Sequence, residues 1–290
     1  MKPSPDQVGP ETISLVIPSK DRPDLIKAQW QAGLRDFVAE GGELIIVDHA
    51  STKQETVATL QELSRFGVKV IRAEGDFNFS HLVNLGVRAS GRENVLTLND
   101  DVQLTCKEQV LRLCAPLLDL SVGAVGSILL YENGTLQHCG VLVGGEGLAT
   151  HFGRGRNPRD KVNSCLVTGL RLASAVTGAA IAFRRTDFER VGGFCERLAV
   201  ELNDIDFCLR LKGLGLRIVV NTEVQLVHPE LTSRGDPLTG TFAKQILRDR
   251  SSFFKYWWKI LPYDACFPLA WGSSSSQIGL RFPPAIGRFE

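Results

Sequence analysis

Val95-Leu96-Thr97-Leu98-Asn99-Asp100-Asp101-Val102 is an apolar, partly β-branched run that stops abruptly at three oxygen-bearing side chains. The run reads as a buried strand, so the acids fall where that strand leaves its sheet. In an open α/β sheet this edge is where ligands bind. Two adjacent carboxylates and an amide at one strand end repel each other unless a cation is shared between them. A hard divalent ion with phosphate oxygens on its far side meets that need. A helix N-cap is the competing reading, because Asp and Asn are favoured there and the residues from Lys107 to Leu111 have helical character.

The flanking sequence repeats the same unit. Strand patterns at 13–17, 43–47 and 68–71 are followed by helical periodicity at 24–38, 53–66 and 81–89, and the 95–98 strand by a helix at 107–119. Such alternation predicts a parallel sheet covered by helices. Past residue 126 the rhythm changes. Asn133-Gly134 between apolar flanks predicts a hairpin over 128–143, and the Gly-, Arg- and Asn-rich stretch 144–163 predicts a long functional loop. Further strands are expected at 175–183, 216–220 and 224–227, with helices at 204–212 and 240–258. Residues 1–11 carry three prolines and are expected to form a loose arm.

With 290 residues the chain is long enough for one large domain or two small ones at about 150 residues each. The 33 Lys+Arg against 32 Asp+Glu leave no field to hold nucleic acid. Seven cysteines without a CxxC pair fit neither a disulfide framework nor a zinc site, so a reducing compartment is expected. Residues 1–6 contain no apolar segment of the secretory type, and the 165–183 run is broken by Arg171 and rich in small polar residues. No transmembrane helix is predicted, and the location expected is cytoplasmic, with peripheral contact at the inner face of the membrane left open.

Acids recur at strand ends: Asp21, Asp48, Asp101. With Val16-Ile17-Pro18-Ser19-Lys20-Asp21-Arg22, Ile46-Val47-Asp48-His49-Ala50-Ser51, Asn78-Phe79-Ser80 with Asn84, Leu98-Asn99-Asp100-Asp101, Gln137-His138-Cys139-Gly140, Gly192-Gly193-Phe194, Asn203-Asp204-Ile205-Asp206 and His228 before Ser233-Arg234-Gly235, the chain resembles family 2 glycosyltransferases of the GT-A fold. The likeness runs over about residues 12–280 and is greatest to the branch that builds bacterial surface polysaccharides, including rhamnan and O-antigen. It implies an α/β, Rossmann-like, mostly parallel sheet flanked by helices over 12–235, with a C-terminal helical extension and tail over 236–290.

The resemblance also implies roles. Pro18, Asp21, Arg22 and Asp48 would hold the base and ribose of a nucleotide-diphosphate sugar, with Asn84 and Arg234 also on the donor side. Asp48 has a plain alternative as a turn residue bonded to its own backbone, and His49 departs from the family's usual Asn or Asp. Asn99-Asp100-Asp101 stands at the D-x-D motif with Asn in its first place. Asp101 then becomes the ligand of Mg2+ or Mn2+, and Asn99 and Asp100 lie nearer the sugar or ribose. His228 would supply an imidazole to the same metal. Asp204 inherits the general-base role, with Asn203 where the family has Glu. His81 and His138 are read as structural, and Trp257 and Trp258 as core packing before an acceptor wall or membrane contact. The acceptor implied is a glycan or lipid-linked glycan. A nucleotidyltransferase would need a Gly-rich phosphate loop where Pro18-Ser19-Lys20-Asp21-Arg22 stands, and a non-catalytic relative would have no need of Asp101, Asp204 and His228 together.

Overall fold

A computed structural model describes residues 8–144, 148–160, 167–229 and 239–259, and the backbone of 271–274 and 277–280. In chain order the elements are β1 (Ile13–Ser19), α1 (Pro23–Gln29), α2 (Arg35–Ala39), β2 (Glu43–His49), α3 (Gln54–Arg65), β3 (Lys69–Ala73), α4 (Phe79–Arg88), β4 (Asn94–Leu98), α5 (Glu108–Cys114) and β5 (Val122–Leu130). Then follow β6 (Leu136–His138), β7 (Val141–Val143), β8 (Ala149–His151), β9 (Leu170–Ala173), β10 (Ala180–Arg184), α6 (Arg185–Arg190), α7 (Asn203–Gly213), β11 (Arg217–Val227) and α8 (Ala243–Trp257), with a hairpin of β12 (Trp271–Ser274) and β13 (Gln277–Leu280).

The main sheet has the order β3-β2-β1-β4-β10-β5-β11-β9, with β6 paired to β5. Strands β1 to β4 are mutually parallel where they pair, β11 is parallel to β5, and β10 runs antiparallel between β4 and β5. The predicted α/β sheet is therefore present and mostly parallel. Alternate residues explain its two cores. Ile13, Leu15, Ile17, Leu44, Ile46, Leu96 and Leu98 pack on one side, whereas Val16, Ile45, Val47 and Val95 pack on the other. A strand buried on both faces has no polar side to show, which is why these segments read as continuous apolar runs.

Several expected elements differ in detail. The helix predicted over 24–38 is broken between α1 and α2 at Gly33, whose φ of 145° no side chain tolerates well, and a Cβ there would meet the Lys107 backbone N at 2.6 Å. The strand predicted over 175–183 begins only at Ala180, and the preceding residues form a loop across the end of β4, where Asn99 N donates to Ala179 O (2.9 Å). The two strands at 216–220 and 224–227 are one, β11, with a register shift between Asn221 and Gln225. The hairpin over 128–143 forms through β5 and β6, while β7 turns away to pair with β8 inside the stretch expected to be a loop. Part of that stretch, and most of the expected N-terminal arm, lie outside the described residues, although Val8 is buried.

Helix α8 is fastened to the chain just ahead of α7. Asp249, fully buried, accepts hydrogen bonds from the backbone N–H groups of Ala199 (3.2 Å), Val200 (2.8 Å) and Glu201 (2.9 Å), and from Gln245 Nε2 (2.8 Å). Asp249→Ala leaves three backbone donors, two of them buried, without their acceptor and is expected to destabilise the protein by roughly 3–5 kcal/mol, read from denaturant midpoints. A loss below about 1 kcal/mol would mean that water replaces the carboxylate at no cost.

Candidate functional site

Strand order reverses between β1 and β4, so the crevice outside their C-terminal ends is the switch point at which α/β sheets bind ligands. Polar contacts fix both lips of the crevice. Ser19 Oγ at the end of β1 donates to Asp100 Oδ2 (2.7 Å) beyond β4. Gln29, a buried amide on the apolar side of α1, donates through Nε2 to the carbonyls of Val102 (2.8 Å), Asn99 and Asp100 (both 3.2 Å). The acid run is thereby held as a defined turn. It caps no helix, since α5 begins only at Glu108 and makes no side-chain cap bond.

Burial and the neighbouring Asp101 charge, partly offset by the Ser19 bond and Arg22, push the Asp100 carboxyl up to about 6. A carboxyl raised in the folded state costs nothing below its unfolded value near 3.8, and the cost grows from there until pH reaches about 6 and stays in full above it. Asp100→Asn should therefore stabilise the metal-free protein by about 1–3 kcal/mol at neutral pH. The gain should appear between about pH 4 and pH 6 and vanish in acid. Unfolding curves across that range check this, and a pH-independent difference would refute the cause.

Asp101 is buried beside His228, with Oδ1 3.0 Å from Nε2. The imidazole is oriented from behind. Gln137 Nε2 donates to the His228 carbonyl (3.2 Å), which leaves Gln137 Oε1 to accept from His228 Nδ1–H (2.7 Å). With Nδ1 protonated, a neutral imidazole presents the Nε2 lone pair to a carboxylate oxygen, and two acceptors at that distance require a proton or a metal ion between them. A ring N–H fixed by an amide on the far side is also the usual support of a metal-bound histidine. The donor set thus suits a hard or borderline divalent ion. Among the described residues no group of three or more His, Cys, Asp or Glu is placed to hold one, so the remaining ligands would be substrate oxygens and water.

The other strand ends form a second group. Asp21 has φ 54° and turns its carboxylate onto the backbone N–H groups of Thr52 (2.9 Å) and Lys53 (2.8 Å). The Lys53 bond is the main cause of its lowered pKa. Its own N–H donates to Ser51 Oγ (2.9 Å). Asp48, buried, accepts from Ser51 N (3.0 Å), as the turn reading expected, and pairs with Arg72 (3.0 Å). His49 Nε2 lies 2.9 Å from Gly75 O. Pro18 pairs with Val47 in the sheet, and Arg22 precedes α1. These residues form one wall at the ends of β1 and β2.

Asp204 sits at the start of α7. Its Oδ2 accepts from Gly178 N (2.7 Å) and its Oδ1 from Ile205 N (2.8 Å). Gly178 adjoins Ala179, whose carbonyl is bonded to Asn99, so Asp204 is tied to the acid turn through one residue of chain. Asp206 faces elsewhere, with Oδ2 on Arg210 (2.7 Å) and Oδ1 accepting from the Trp257 indole (2.9 Å).

Asn84 spends its amide on Phe194 N and O (both 2.9 Å) and Glu196 (2.9 Å), holding the turn after Gly193. His81 lies 3.2 Å from the same Glu196. His138 is buried against His151 (2.8 Å) with its pKa pushed well down, chiefly by burial. Arg234 lies outside the described residues. Ser19, Gln29 and Asp249 are contributors that sequence reading missed. Only Gln29 carried a signal, as a polar residue on the apolar stripe of its helix.

Among the described cysteines, Cys106, Cys114, Cys195 and Cys208 form no disulfide, and buried Cys139 directs its Sγ at the Phe152 carbonyl (3.0 Å). No described helix is long and apolar enough to cross a membrane.

A family model described as glycosyl transferase family 2 matches residues 14–191. The O-antigen biosynthesis protein RfbC of Myxococcus xanthus is 33% identical over 229 residues, 78% of this chain and 18% of that protein. An uncharacterized protein of Sinorhizobium fredii is 33% identical over 231 residues, 78% of this chain and 25% of that one. The chain thus spans a quarter or less of these curated relatives. Among solved structures, the mannosyltransferase PcManGT of Pyrobaculum calidifontis, in complex with GDP-Man and Mn2+, superposes with a TM-score of 0.59 at 18% identity, covering 90% of this chain and 68% of that one. TarS of S. aureus gives 0.54 at 16% identity, over 84% and 44%. At such identities the likeness shows the fold alone.

Proposed function

Because the chain belongs to glycosyl transferase family 2, we propose that its strand-end crevice moves a hexosyl unit from a nucleotide-diphosphate sugar to a hydroxyl of a growing surface glycan, with inversion at the anomeric carbon. The observation that carries this reading is the meeting of the Asp101–His228 pair and Asp204 around one acid turn at the ligand edge of the sheet. The relative concerned with O-antigen favours a surface glycan, free or lipid-linked, as acceptor, and the neighbour holding GDP-Man favours a nucleotide-sugar donor.

In this reading the wall of Pro18, Asp21, Arg22 and Asp48 receives base and ribose, and Asn99 and Asp100 face the sugar or ribose. Asn84 shapes the donor side through the 193–196 turn, and Arg234 contacts diphosphate. Asp101 and His228 would hold Mg2+ or Mn2+, which when bound neutralises the diphosphate leaving group as a Lewis acid. Asp204 accepts the proton of the acceptor hydroxyl as its oxygen attacks the anomeric carbon from the face opposite the departing diphosphate, through an oxocarbenium-like transition state.

The test is a thermal-shift panel of UDP-, dTDP- and GDP-sugars with and without Mn2+. A ligand bound only by the folded chain raises its apparent stability by about 2.7 kcal/mol at a hundred times its dissociation constant. One nucleotide sugar should stabilise the protein, and more so with Mn2+. No shift with any nucleotide would remove the donor assignment.

A further inference from the structure

The outward face of α8 has no role in the crevice, yet it is patterned. At 3.6 residues per turn, Ile246, Asp249 and Phe253 fall on one side and are buried. The opposite side carries two parallel stripes. Leu247, Phe254 and Trp258 form one, with 57%, 53% and 53% of their surface exposed. Beside it run Lys244, Arg248, Lys255 and Lys259, all exposed. None of these four is ion-paired among the described residues, and Arg250, which is paired, bonds Glu201 at a different angle around the helix. The single acid between positions 240 and 259 is the buried Asp249. Three of these cations share the helix face and Lys259 stands just past its end, its Nζ 5.6 Å over the Trp258 ring, a local concentration of positive charge in a chain whose formal net charge is +1.

We propose that this face of α8 docks on an anionic lipid bilayer, the apolar stripe entering the acyl boundary while the cations meet the headgroups. Exposed Phe, Trp and Leu beside Lys and Arg is the pattern of a helix lying in a membrane interface. Tryptophan suits that depth, and each Lys or Arg near an anionic surface adds about 1 kcal/mol. The charge pattern selects lipid over a second copy of this chain, since two copies of the face would set cation against cation. Through Asp249, the docked helix is fixed to residues 199–201, directly ahead of Asp204. The crevice would then work at a fixed height above the bilayer, as suits a lipid-linked acceptor. The docking itself stands apart from the sugar-transfer reading, because it is measured without nucleotide or acceptor.

The experiment is flotation of the full chain with phosphatidylcholine vesicles, with and without phosphatidylglycerol, at low and high salt. Binding should require phosphatidylglycerol, fall with salt, and shift tryptophan emission to the blue. Replacing Lys244, Arg248, Lys255 and Lys259 by Gln should lower partitioning on the order of 10³-fold, with an unchanged melting temperature. Leu247, Phe254 and Trp258 changed together to Ser should abolish the blue shift. Binding that ignores lipid charge, survives the Gln variant, or fails with every vesicle overturns the proposal. So does self-association that the Ser variant abolishes in the absence of vesicle binding, which would assign the face to a second copy.

Discussion

Asp101→Ala is expected to abolish Mn2+-dependent nucleotide binding and to lower sugar transfer by at least about 10³-fold while the protein remains folded. The magnitude follows from the several kcal/mol of charge stabilisation that a metal supplies to a leaving diphosphate. Asp101 is the anionic half of the pair with His228, and the imidazole alone, held by Gln137, is a neutral donor. Titration of a nucleoside diphosphate with and without Mn2+ separates the outcomes. Wild-type affinity in the presence of Mn2+ would end the assignment of Asp101 as ligand.

Asp204→Asn should keep nucleotide and metal affinity and lose transfer by about 10²–10⁴-fold, the usual contribution of a positioned base. The amide keeps one oxygen to accept from Gly178 N, so the link from α7 to the end of β4 is preserved, while the proton acceptor and the bond from Ile205 N at the start of α7 are lost. Asp206→Asn is the control. Its carboxylate bonds Arg210 and Trp257, so its loss should appear as reduced melting temperature with transfer largely retained. Transfer near the wild-type rate in Asp204→Asn, or a product that keeps the donor's anomeric configuration, would refute the mechanism.

The parts of this architecture open to sequence reading were those governed by local periodicity. Val95 to Leu98 announced a strand buried on both faces, and its termination before Asn99 matches the end of β4 at the point where strand order reverses. Edge and bulged segments were harder. In β9, Leu170 and Leu172 point outward and Arg171 interrupts the run, so no period separates it from the loop before it. The bulge at Asn221–Gln225 hid the continuity of β11. The pairings within the site were not legible either. Asp101 and His228 are 127 positions apart, and nothing local in either stretch specifies the other. Asp21 looked like an open acceptor, yet its carboxylate closes the Thr52–Lys53 turn 31 and 32 residues on.

Strand β10 carries a consequence for how the chain is made. It lies between β4 and β5, which end at Leu98 and Leu130, well before it begins at Ala180, and it pairs with each in the antiparallel sense. During synthesis from the N-terminus, β4 and β5 therefore leave the ribosome with facing edges unfilled, and they stay so until residues 180–184 emerge. An unpaired edge on an apolar strand invites pairing with another chain. A nascent chain halted anywhere in that interval is a sticky intermediate rather than a smaller domain, and the last strand to arrive is a keystone whose insertion ends that exposure.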